Sequence, residues 1–61
     1  MDHHEISYLV GRATTEFQSA QRAASIVAAR PHYSMAVEYL ERAEALKRRL
    51  RSGPAMQQRQ A

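Results

Sequence analysis

Cysteine is absent from this chain. That excludes disulfides and cysteine-ligated zinc, two of the usual staples of a very small domain. Glycine and proline occur twice each, too sparsely for a glycine-rich phosphate loop. The aromatic residues are three tyrosines and one phenylalanine, with no interleaved pattern on which bases could stack. Long hydrophobic runs are missing as well. The longest apolar stretch, from Ala23 to Ala29, is interrupted by Ser25 and falls far short of the roughly 20 residues a membrane span needs. Nothing has the layout of a secretory signal, so a soluble, cytoplasmic protein without membrane contact is expected.

What remains is 61 residues, enough for one small domain. A chain of this size buries only roughly 60% of its unfolded surface, so a lone core is marginal. Small folds compensate with disulfides, a metal or association, and association with another chain is the expectation here. The net charge is +3, unevenly placed. Residues 1–29 carry two arginines and three acids, a net of −1, whereas residues 30–61 carry seven basic and three acidic residues, a net of +4. Such polarity can orient two chains head to tail or aim one end at an anion.

Two breaks divide the chain. Arg30-Pro31 interrupts a continuous helix, because proline lacks an N–H and biases its predecessor away from helical angles. Ser52-Gly53-Pro54 is a stop signal, with glycine suited to a left-handed cap and proline unable to continue. Helix 1 is therefore predicted over about 3–29 and helix 2 over about 31–51, forming a hairpin in residues 1–52. Residues 53–61 are predicted to be a flexible tail. The bend is placed near Ala29 to Pro31. A competing placement puts it at Ala24-Ser25, with Ser25 capping a longer second helix kinked at Pro31.

Asp2 and Glu5 have the spacing of a capping box at the first helix start. Ile6, Val10, Ala13, Phe17, Ala20, Ala24 and Val27 then follow alternating steps of four and three, a heptad seam. Leu9 and Ala23 lie beside it. Gly11 falls on the outer face, at a cost of roughly 1 kcal/mol relative to alanine. Pro31 suits a first helical turn, and the second seam reads Tyr33, Ala36, Leu40, Ala43, Lys47, Leu50. Val37 flanks it on one side, Tyr39 and Leu46 on the other. Glu38–Arg42 and Glu44–Arg48 have the favourable acid-first i, i+4 order. No stretch alternates as a strand would.

The fold class read from these patterns is all-α, an antiparallel two-helix hairpin. Both helices carry a seam plus apolar flanks, a width that suits more than one neighbour. Inside one hairpin, Leu9, Ile26 or Leu46 would stay partly wet. A homodimeric four-helix bundle covers them, and a helix from a different protein in the same groove is the rival. The candidate interface is Ile6, Leu9, Val10, Phe17, Val27, Tyr33, Val37, Tyr39, Leu40, Leu46 and Leu50. The alanines permit close approach, so stability is assigned to Ile6, Val10, Phe17, Tyr33, Leu40 and Leu50.

His3, His4 and His32 have metal-ligand chemistry with Asp2 and Glu5. With His32 at the bend, the two groups lie some 35 Å apart along a helix of about 25 residues, so solvated histidines and no metal are the reading adopted. Lys47, Arg48, Arg49 and Arg51 are candidate phosphate contacts, but they also suit the negative end of a helix dipole. Glu38, Glu41 and Glu44 would repel a nucleic-acid backbone along most of that helix. Tyr8, Arg12, Thr15 and Arg22 fall on the outer face of helix 1, and Met35 on that of helix 2, where tyrosine, arginine and methionine can mark a docking patch. No nucleophile, base or pocket comes together for catalysis, and no cofactor is expected.

From Tyr8 through Arg42, with His32, Ala36, Tyr39 and Ala43 spaced H-x3-A-x2-Y-x3-A, the chain resembles small alanine- and arginine-rich helical proteins of alphaproteobacteria. Those have no assigned activity, so the resemblance implies a bacterial origin and a helical fold. Glu38-Tyr39-Leu40, Arg42-Ala43-Glu44 and Leu46-Lys47 also resemble the closing helix of microtubule-interacting-and-trafficking domains, three-helix modules that bind partner helices. Only that helix matches, a convergence on a good amphipathic pattern. The function expected is a non-enzymatic protein-interaction module, an adaptor or regulator working as a homodimer. A nucleic-acid-associated protein using the basic helix end is the alternative class, and a hetero-partner subunit is the third.

Overall fold

In a computed structural model, the chain forms two helices, α1 (Asp2–Arg22) and α2 (Ile26–Gln60). The structure describes residues 2–60, with side chains for residues 3–51. No strand occurs among the described residues. Three cross-helix pairs, Phe17 with Tyr33, Glu16 with His32 and Arg12 with Tyr39, are all centred between Ala24 and Ile26. The helices therefore run antiparallel and in one register.

The bend is at residues 23–25, several residues before the Ala29–Pro31 position expected first. Ala23 N–H donates to the Ala20 carbonyl at 3.2 Å, a tightened last turn that ends α1. Ser25 then caps α2. Its Oγ accepts from the Ala28 N–H at 3.1 Å, and its carbonyl accepts from the Ala29 N–H at 2.9 Å. That is the geometry that makes serine a strong N-cap. Pro31 consequently lies inside α2 rather than at its first turn. Its missing N–H deprives only the Val27 carbonyl, four residues back. Val27 is 76% exposed, so water can serve that carbonyl.

The second expected stop also gives way: α2 continues through Gly53 and Pro54 to Gln60. Ala55, Met56, Gln57, Gln58 and Arg59 are good helix formers, and one proline removes one rung of the ladder. The backbone of the expected tail is thus helical up to Gln60. The capping contact expected of Asp2 lies outside the described residues.

The seam is built from small side chains. Ala13 and Ala20 of α1 lie level with Ala36 and Ala29 of α2, Ala43 lies nearer Leu9, and all five alanines are buried, Ala36 completely. On α2 they repeat every seventh residue, the spacing that keeps one position facing a partner helix. Leu9 is the one larger apolar residue in the buried set. That corrects the expectation that Leu9 would stay wet. The α1 seam is also turned: Val10 and Val27 are exposed, while Glu16 is buried instead. Close backbone approach is gained, but alanine removes little apolar area from water, so this seam alone stabilises weakly.

The molecule is consequently a single layer, 55 × 19 × 10 Å in extent. Its radius of gyration is 15.5 Å, against about 10.5 Å for a compact chain of this length.

Candidate partner-binding face

With the alanine seam as reference, 3.6 residues per turn divide the remaining side chains between two flanks. On one flank lie Ile6, Val10 and Phe17 of α1 with Tyr33, Val37 and Leu40 of α2. Phe17 and Tyr33 meet edge to face at its centre, with ring centroids 6.0 Å apart and planes at 64°, a favourable aromatic geometry. None of the six is buried: Val10, Tyr33 and Val37 are 42%, 44% and 47% exposed. Ile26 extends this flank toward the bend and is 75% exposed. A shallow open groove lined by Val37, Leu40, Glu41, Glu44 and Arg48 continues it in the other direction.

The opposite flank is closed by polar groups. Glu16 is buried, with 7% exposure. Its Oε2 accepts from Arg12 Nη2 at 3.0 Å and its Oε1 accepts from His32 Nδ1 at 2.8 Å. A carboxylate can only accept, so Nδ1 is the donor nitrogen. Arg12 also lies over the Tyr39 ring, with Cζ 5.6 Å from the centroid, a cation–π contact. Tyr39, foremost through a side-chain hydrogen bond, and Glu16 by its charge raise the Arg12 pKa above its ordinary value. No buried polar side-chain atom lacks a partner among the described residues.

These placements correct three expectations. Arg12 faces α2 and is half-buried rather than outward. His32 sits beside Glu16, more than a turn into α2, not at the bend. Its distance from His3 and His4 is then roughly 20 Å along the helix rather than 35 Å. No group of three potential metal ligands forms among the described residues. The third correction concerns the cations. Because α2 runs on to Gln60, Lys47, Arg48, Arg49 and Arg51 do not occupy its last turn. Lys47, Arg48 and Arg51, one, three and four residues apart, lie on the side of Glu44, and only Arg49 turns away from them. Lys47 donates to Glu44 at 3.2 Å, and Arg49 lines a groove with Glu5, Leu9, Arg42 and Leu46.

The candidate interface residues therefore separate. Ile6, Val10, Phe17, Tyr33, Val37 and Leu40 are brought onto one flank. Tyr39 and Leu46 lie half-buried on the other, and Leu9 is spent inside the hairpin. Val27 stands on the side of α2 away from α1, and Leu50 is half-buried beyond the seam alanines. Tyr8 and Met35 are exposed, at 61% and 41%. The residue that sequence reasoning missed is Glu16. It shares a heptad position with Leu9 and Ala23, and the Arg12–Glu16 spacing of four was the available signal.

Among the described residues no helix is long and apolar enough to cross a membrane. Compared with protein-family models, with characterised proteins and with solved structures, the chain shows no match.

Proposed function

We propose that this protein is a non-enzymatic interaction module that works as a homodimer, two hairpins stacking through the flank of Phe17 and Tyr33 into a four-helix bundle. The observation that carries this reading is the division of labour in the hairpin. Its buried apolar seam is alanine and one leucine, while Ile6, Val10, Phe17, Tyr33, Val37 and Leu40 gather on one open flank. Domains are built from at least two packed layers, and this one has a single layer.

The chain is also more open than a compact monomer. The chain exposes 4940 Å², against about 4000 Å² for a compact monomer of its mass. That excess is shared between the open flank and the end of α2, which runs past the start of α1 with no helix beside it. A second copy supplies an identical apolar flank with no new sequence requirement, and twofold association is the commonest closed symmetry. The basic residues support nucleic-acid binding less well, because Glu38, Glu41 and Glu44 directly precede them on α2 and Lys47 is paired with Glu44.

Sedimentation equilibrium tests the proposal. Twice the 6.9 kDa chain mass is expected at micromolar concentration, and Val10→Glu combined with Val37→Glu should return the chain to monomer. A folded wild-type monomer at every concentration overturns it.

A further inference from the structure

We infer that the second copy lies antiparallel across the open flank, about a twofold axis crossing the hairpin at the level of Thr14 and Val37, so that Arg30 of each chain meets Glu44 of the other. This rests on the homodimer reading and adds its register. Along the open flank of α2 the residues Arg30, Tyr33, Val37, Leu40 and Glu44 succeed one another in steps of three and four. Arg30 and Glu44 each lie seven residues from Val37, with Tyr33 four before it and Leu40 three after it. The series is thus symmetric to within one residue, with a cation at one end and an anion at the other. Reversed onto itself, it sets Val37 against Val37, Tyr33 against Leu40 and Arg30 against Glu44, twice over.

The α1 flank obeys the same axis. Arg12 faces Tyr39 in the hairpin, which places Thr14 level with Val37. Reversal about a point between Ala13 and Thr14 brings Val10 opposite Phe17 and Ile6 opposite Gln21. That row carries no charge, so nothing in it opposes the pairing.

The other face-to-face arrangement has its twofold axis along the helices. It also buries the flank, but it lays each α2 on the partner's α1, whose row of Ile6, Val10, Phe17 and Gln21 carries no charge. Arg30 and Glu44 gain no counter-charge there, whereas opposite charges fix register. Within the hairpin Arg30 has no acidic partner among the described residues. Glu44 already accepts from Lys47, but that contact is exposed on both sides, and a carboxylate accepts several hydrogen bonds.

Charge exchange read by sedimentation equilibrium tests the register. Both side chains are exposed, so the variants should keep the hairpin, which far-UV circular dichroism verifies. Arg30→Glu and Glu44→Arg should each weaken dimerisation on the order of 10- to 100-fold, since each turns two attractions into two repulsions. Mixing the two variants, or combining both changes in one chain, should restore association to within a few fold. Independently, Val37→Cys gives a chain with a single thiol, which should oxidise to a covalent dimer. A dimeric wild type with neither charge rescue nor a crosslink overturns the register and leaves the homodimer standing. A monomeric wild type removes both.

Discussion

On one flank of the hairpin Arg12, Glu16, His32 and Tyr39 close over the alanine seam with charge and hydrogen bonds. On the other, Phe17 and Tyr33 touch edge to face and leave Val10, Val37 and Leu40 open to water. The same two helices thus make one edge that satisfies itself and one that does not. Polar closure is directional: once Glu16 has its two partners, a further protein has little left to offer it. Apolar exposure is not directional, and any covering surface relieves it. The difference teaches that a short chain can limit its partners by finishing one side and leaving the other unfinished.

The largest effect should come from the seam on which both flanks depend. Ala36 has no exposed surface, and leucine there needs room that closely approached helices lack. Overpacking of this kind typically costs 1–3 kcal/mol, and a seam this thin should place Ala36→Leu near the top, at about 3 kcal/mol. Thermal melts followed by circular dichroism should show a lower, broader transition. If Ala36→Leu melts like the parent, the helices are not held by their alanines, and the distinction between seam and flank disappears.

Much of this architecture was legible in the sequence. The 3.6-residue spacing of apolar groups reports one helical face wherever it occurs, so the all-helical hairpin followed directly. The bend was legible only as the competing placement at Ala24-Ser25, because Pro31 is the louder signal and Ser25 the quieter one. A proline costs a helix most where its neighbours are buried. Here the orphaned carbonyl belongs to the exposed Val27, whereas Ser25 serves two amides and lets Ala29, Ala36 and Ala43 be buried with Ala13 and Ala20. The register of five alanines outweighs one lost rung. Glu16 was hidden for a related reason. A carboxylate at a heptad position reads as a surface charge until Arg12 and His32 are known to reach it from two helices.

A change of intermediate size tests the closed flank. Glu16→Ala removes two hydrogen bonds from a buried carboxylate. Arg12 and His32 are each more than a third exposed, so water can take them up and the loss is discounted accordingly. About 1–2 kcal/mol is expected. The decisive reading is its dependence on protein concentration. The loss should be the same in dilute and concentrated samples, because this flank meets no second chain. A penalty that grows with concentration would place Glu16 in the intermolecular contact and exchange the roles of the two flanks.

The smallest effect concerns a surface belonging to neither flank. Gly11 lies mid-way along α1 on the side away from α2, exposed, and a Cβ built there meets nothing within 4 Å. Its carbonyl accepts from the Thr15 hydroxyl at 3.1 Å, a contact alanine leaves in place. Gly11→Ala removes backbone freedom from the unfolded chain and should stabilise α1 by about 0.5–1 kcal/mol. Differential scanning calorimetry should record a higher midpoint, with sedimentation unchanged. Loss of stability or of association would mean that a backbone approaches Gly11 closely in the assembled protein, which would make the back of α1 a third contact surface and end the two-sided description.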